Sequence, residues 1–175
     1  MRKLKLEELN RLTPEAFRMT EKKPVVVVLD NIRSMHNVGA VFRTADAFLI
    51  EKIILCGITA VPPHREIHKT AIGAEETVAW EYQSDIVAVI RNFKAQGYTI
   101  FSIEQTDQSI SLNSGIPPFE KCVIVLGNEV EGVNQQVVDL SDAALEIPQL
   151  GTKHSLNVSV AAGIVMYSLT VGAGT

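Results

Sequence analysis

Apolar positions in this chain fall into short unbroken runs, and between them lie stretches with helical spacing. Residues 25–29 read Val-Val-Val-Val-Leu, a β-branched run that predicts a strand buried on both faces. Residues 39–49 then predict a helix with Val41, Phe42, Ala45 and Phe48 on one side. Short strands are expected at 53–56 and 77–82. Ile86, Val89, Ile90 and Phe93 space a helix over 85–95 that stops at Gly97. Strands follow at 98–103 and 122–126, a short helix at 134–140, and a strand at 144–147 closed by Pro148. Residues 156–170, rich in Ala and Val, predict a long apolar helix, and Pro62-Pro63 and Pro117-Pro118 mark loops.

Strands alternating with helices define an α/β fold, a mainly parallel sheet with helices on both faces. Residues 1–23 predict a basic helical extension, with Leu4, Leu9, Leu12 and Phe17 available to dock on a body formed by residues 24–175. The chain has 175 residues, 46% of them apolar and only 6% aromatic, so one core built from Val, Ile, Leu and Ala is expected.

Charge changes the picture in one place. The net charge is −4, which weighs against a nucleic-acid partner. Yet residues 1–23 hold seven basic and four acidic side chains, +3, which leaves −7 on the rest. Either a patch that attracts phosphate or a solvated amphipathic helix accounts for this. No run approaches the ~20 apolar residues of a membrane span, and the N-terminus has neither a hydrophobic signal segment nor a cleavage site, so a cytoplasmic protein is expected. Cys56 and Cys122 sit in apolar runs as buried free thiols, and no metal site is expected.

Open α/β sheets bind ligands beyond the carboxyl ends of their strands, so the strand-to-helix loops carry the candidates. No Gly-x-Gly-x-x-Gly follows the first strand, which weighs against an ordinary dinucleotide site. That loop supplies Asn37, a candidate helix cap, and Gly39, where backbone can approach a ligand. Arg43 follows one turn later, suited either to a phosphate or carboxylate or to a salt bridge with Asp30 or Asp46. Gly127 and Gly132 bracket a tight polar loop containing Asn128 and Glu129. In the last loop Ser155 is a candidate cap, and Asn157, a poor helix former, must find partners for its amide. Lys153 and His154 read as solvent-facing.

Three segments together resemble one family. They are Asn37-x-Gly39-x-x-x-Arg43-Thr44, Gly127-x-Glu129-x-x-Gly132, and Ile147-Pro148 followed by Ser155-Leu156-Asn157-Val158-Ser159-Val160-Ala161. In this order they resemble the SpoU (TrmH-like) group of SPOUT methyltransferases over about residues 24–171. The resemblance implies a C-terminal trefoil knot, S-adenosylmethionine as cofactor, a homodimer, and methyl transfer to a ribose 2′-hydroxyl of tRNA or rRNA. It implies catalytic roles for Arg43, Asn37, Ser155, Asn157 and Glu129, with Glu129 paired to an arginine. It implies cofactor contacts from Leu126, Gly127, Asn128, Gly132, Ile147, Gln149 and Leu156. The apolar C-terminal helix, with Ala161, Ala162 and Gly163, would pack at the dimer interface. Many members have Asp-Pro where Ser34-Met35 stands here, which bears on how the first loop meets RNA. The basic loop 62–69 is either a further RNA contact or an exposed connection. The competing reading is a non-catalytic RNA- or ribosome-binding protein with the same fold.

Overall fold

The computed structural model describes residues 1–171. The expected body runs to residue 175, and its last four positions lie outside the described residues. Seven strands form one sheet: β1 (Lys23–Asp30), β2 (Ile50–Cys56), β3 (Trp80–Gln83), β4 (Thr99–Ile103), β5 (Ile110–Ser111), β6 (Cys122–Leu126) and β7 (Ala143–Glu146). Their order is β3-β2-β1-β6-β4-β7-β5, and every pairing is parallel.

The period-two pleat divides the core. Val25, Val27 and Leu29 of β1 face one layer, formed by α1 (Pro14–Met19), α2 (Met35–Ala47), α3 (Arg65–Ala71), α4 (Ala74–Thr77) and α7 (Val158–Thr170). Val26 and Val28 face the other, formed by α5 (Ile86–Ala95) and α6 (Gln135–Leu140). Helices therefore cover both faces. Phe42, Phe101 and Ile124 are fully buried, each burial worth about 1.5–3 kcal/mol. Cys56 and Cys122 are free and buried, and burial first of all pushes both thiols up to about 12.

Some elements depart from expectation. The helix expected from residue 39 begins at Met35, because Ser34 accepts a hydrogen bond from the Asn37 N–H and caps it. Loop 62–69 is in large part the helix α3, capped by His64 Nδ1, which accepts from the Glu66 N–H. Residues 74–77, partly assigned to a strand, form the short helix α4, and β3 starts at Trp80. In the N-terminal segment Phe17 is the one apolar side chain buried among the described residues. Leu4, Leu9 and Leu12 stay exposed, and the helical structure is one 3₁₀ turn, Leu6–Leu9, plus α1.

Candidate active site

The carboxyl ends of β1, β6, β4 and β7 lie side by side in the sheet. Beyond them opens a cavity of about 580 Å³, within the ~300–1,000 Å³ of small-molecule sites. Leu126, Gly127, Asn128, Gly132, Ile147, Gln149 and Leu156 all line it, as do Glu129, Ser155 and Asn157.

The loop after β6 is shaped by its two glycines. A Cβ on Gly127 would stand 2.1 Å from the carbonyl carbon of Gly132, so only glycine fits there. Gly132 has φ +72, and a Cβ on it would meet Glu104 Oε2 at 2.3 Å. The loop closes on itself: the Asn128 N–H donates to the Gly132 carbonyl at 3.0 Å, and the Gly132 N–H returns a bond of 2.9 Å. Glu104 Oε2 also accepts from the Val133 N–H at 3.0 Å. The Asn128 side chain is spent on backbone groups of this loop and of the one after β1. Its Nδ2 donates to the Asn31 carbonyl at 2.9 Å, and its Oδ1 accepts from the Val130 and Glu131 N–H groups. What Asn128 offers the cavity is therefore backbone.

At the cavity rim three polar side chains from different parts of the chain meet. Asn37 Nδ2 donates to Glu129 Oε1 at 3.1 Å, and Asn37 Oδ1 accepts from Asn157 Nδ2 at 3.1 Å. Asn157 Oδ1 in turn accepts from the Ser159 N–H at 2.9 Å and from Ser159 Oγ at 2.6 Å. Asn157 is thus the N-cap of α7, the role expected of Ser155. Ser155 sits exposed in the cavity lining instead. Because Ser34 caps α2, the Asn37 amide is free for Glu129 and Asn157.

Partial burial pushes the Glu129 pKa up, but hydrogen bonds from its own N–H, the Asn37 amide and the N–H groups of Arg33 and Ser34 outweigh this and hold it below the ordinary carboxylate value. The expected arginine pairing does not occur among the described residues. The Arg33 backbone N–H, not a guanidinium, donates to Glu129 Oε2, at 3.3 Å. Gly39 also differs from expectation. It lies buried against α3, where a Cβ would meet the Ile67 carbonyl and Thr70 Oγ1 at 2.2 Å, so it serves helix packing.

Arg43 is not brought to the cavity. It is exposed, and neither Asp30 nor Asp46 pairs with it: Asp30 accepts from Asn31 and Asn134, and Asp46 from Thr77. It lies six positions after Asn37, which puts the two about 120° apart around the helix. Thr44, its neighbour, lies against Gly163 of α7. Beyond that contact α7 exposes Val160, Ile164 and Tyr167, and its C-cap Val171 is exposed as well.

Sequence reasoning missed Ile103, which ends β4, Glu104 and Gln105 just beyond it, and Leu145 and Glu146 of β7, all of which line the cavity. The strand at 98–103 was legible, but its place next to β6 was not, so its C-terminal residues carried no signal. His154, expected in solvent, is exposed but also lines the cavity, and its carbonyl accepts from Gln105 Nε2 at 2.7 Å. No helix among the described residues is long and apolar enough to cross a membrane.

An all-parallel sheet with a glycine-framed loop and an Asn-Glu-Asn cluster at its carboxyl edge defines an α/β ligand-binding domain. Its relatives are specific: the model of the SpoU rRNA Methylase family matches residues 24–167, and the chain belongs to that family. The 23S rRNA (guanosine-2′-O-)-methyltransferase of Neisseria meningitidis serogroup B is 32% identical over 143 residues, 82% of this chain and 56% of that protein. The tRNA (guanosine(18)-2′-O)-methyltransferase of Aquifex aeolicus is 31% identical over 147 residues, 83% of this chain and 68% of that one. Among solved structures, the A. aeolicus TrmH/SpoU tRNA modifying enzyme superposes with a TM-score of 0.80 at 26% identity, covering 90% of this chain and 80% of that one. An AdoMet-bound rRNA methyltransferase from Sinorhizobium meliloti superposes with a TM-score of 0.78 at 27% identity, covering 91% and 60%. The chain thus spans little more than half the length of the N. meningitidis relative.

Proposed function

We propose that this chain is an RNA methyltransferase that moves a methyl group from S-adenosylmethionine to a ribose 2′-hydroxyl of tRNA or rRNA in the cytoplasm. The observation that carries the reading is the Asn37–Glu129–Asn157 cluster at the mouth of the cavity. The cavity suits the cofactor. Leu126, Ile147 and Leu156 offer an apolar wall for a purine, the Gly127–Gly132 turn lets backbone groups approach closely, and Glu104 and Glu146 offer acceptors for hydroxyls or a cationic centre.

When bound, S-adenosylmethionine would supply a methyl group on a positively charged sulfur: the ribose oxygen would bond to the methyl carbon, the carbon–sulfur bond would break to leave the neutral thioether S-adenosylhomocysteine, and the hydroxyl proton would pass to solvent. The protein's share is alignment and charge. Glu129, fixed by four donors, orients the Asn37 amide, and the Asn37 carbonyl oxygen fixes Asn157. These amides position the ribose, an entropic contribution to rate. Ser155 in the cavity lining contacts the reacting region. Arg43, through its guanidinium, holds the target phosphate and stabilises the developing alkoxide.

The reading includes a homodimer and a C-terminal trefoil knot. The apolar stripe on α7, beside the helix that bears Arg43, supports the first. The return of residues 147–157 to wall the same cavity as loop 126–132, before α7 crosses to α2, supports the second. In this reading residues 1–23 are a basic extension that adds phosphate affinity to the domain from residue 24. The test is calorimetric titration with S-adenosylmethionine, joined to mapping of 2′-O-methyl marks on total RNA with and without the gene. Saturable binding and loss of one mark are expected. Binding without any lost mark would favour a non-catalytic RNA-binding role, and absent binding would overturn the cofactor.

A further inference from the structure

A second cavity, of about 480 Å³, shares no lining residue with the first. It is walled by Pro62, Pro63 and Trp80, and His68, Glu75 and Glu76 open onto it. One ligand atom from each of these three lies within 4.8 Å of the other two. The left-handed turn at Ile72 (φ 53) and Gly73 (φ 89) folds the start of α4 back on the last turn of α3, which places Glu75 and Glu76 against His68.

Glu75 does not fit an ordinary surface ion pair. Its side chain is only 8% exposed. Oε1 meets His68 Nδ1 at 2.5 Å, while Oε2 is buried with no hydrogen-bond partner among the described residues. A carboxylate oxygen in that position has lost its water without compensation, and native proteins seldom leave such an atom unsatisfied. Glu76 adds a second carboxylate to the same small volume, and Arg65 also lines the cavity. A divalent cation gives the unpartnered Glu75 oxygen a partner.

We propose that His68, Glu75 and Glu76 bind a divalent transition-metal ion of the zinc class. One imidazole and two carboxylates suit zinc, or manganese less tightly, better than the all-oxygen ions magnesium and calcium. Metal–ligand bonds of about 2.0–2.2 Å put neighbouring ligand atoms roughly 3–3.5 Å apart, so the cluster reaches coordination geometry with small side-chain movements. Three protein ligands leave at least one position open to the cavity. The ion clips α3 to α4, and α3 is the surface on which Gly39 of α2 packs. It thus stiffens the support of the helix that carries Asn37 and Arg43. This inference stands independently of the methyltransferase reading, and no cysteine takes part.

The test is titration of the full chain, stripped of metal by chelation and dialysis, with zinc chloride in a calorimeter, accompanied by thermal melts. One zinc per chain is expected, with a Tm that climbs as zinc exceeds its Kd, as linkage requires, and a smaller response to magnesium. Glu75→Gln and the exposed Glu76→Gln should each weaken zinc by at least ~10-fold, while His36→Ala should not. Circular dichroism of the metal-free variants identifies any that has misfolded, and the exposed position of Glu76 makes its variant the safe one. Cobalt substitution should give a spectrum without a thiolate charge-transfer band. No saturable zinc binding, binding unchanged in both glutamine variants, or a thiolate band would each overturn the site.

Discussion

Asn157 Nδ2 donates to Asn37 Oδ1 across 3.1 Å, a bond between residues 120 positions apart. It ties the first turn of α2 to the cap of α7 and hands Glu129 an amide of fixed orientation. The two asparagines should therefore act as a unit. Asn37→Ala and Asn157→Ala should each lower kcat/KM for RNA methylation by about 100-fold, the scale of a small misplacement. The double variant should lose little more than either single one. Steady-state kinetics of the four proteins checks this, and additive losses would separate the residues.

Arg43 needs a different experiment, because it stands apart from the cluster in its own chain. Arg43→Ala should abolish methyl transfer while S-adenosylmethionine affinity stays nearly unchanged. If the site is completed across a two-fold interface, mixing Arg43→Ala with Asn157→Ala chains should restore about a quarter of wild-type activity through heterodimers. No recovery would confine each site to one chain.

The exposed stripe on α7 predicts the interface itself. Tyr167 is 53% exposed and stacks edge-on against Phe48. Wild type should sediment as the proposed dimer in analytical ultracentrifugation and Ile164→Glu or Val160→Glu as a monomer, with cofactor binding retained.

Gly127→Ala should destabilise the protein by about 1–3 kcal/mol through overpacking against Gly132, and should weaken S-adenosylmethionine more than it lowers Tm. Calorimetry and thermal melts on one sample separate the two effects. Unimpaired cofactor binding would remove this loop from the site.

Glu129 makes stability depend on pH. Its folded-state pKa lies below the ordinary 4.5, so the unfolded chain binds the proton more readily. Its contribution is complete above that value and is lost as pH falls through the folded pKa. Glu129→Gln should therefore lose stability relative to wild type at pH 7, and the gap should narrow in acid. Asp30, raised chiefly by burial, works in the opposite sense. Urea titrations across pH 3–7 (roughly the window in which carboxylates titrate) check the sign.

The alternation of strands and helices was legible because the sheet is parallel and buried on both faces. Runs such as 25–29 and 122–126 then carry no polar residue to blur them. The boundaries that failed depended on caps. Ser34 rather than Asn37 starts α2, and Asn157 rather than Ser155 starts α7. Ser and Asn compete for the cap on nearly equal terms, and the winner is the one whose backbone the rest of the fold holds extended. Helix α3 was hidden because its seven residues are too few for a clear period.

What the sequence determined by itself was local: which segments become strands and helices, and the motif residues that place this chain in its family. Those motifs are short, and their glycines and amides are required by backbone geometry that neighbours in the chain impose. Tertiary structure decided what each motif residue touches. Strand order put Glu104 beside loop 127–132, helix phase set Arg43 apart from Asn37, and the turn at Ile72–Gly73 gathered His68, Glu75 and Glu76. Each of these depends on which elements become neighbours in space, and a linear pattern of apolar and polar positions is the same for many such arrangements.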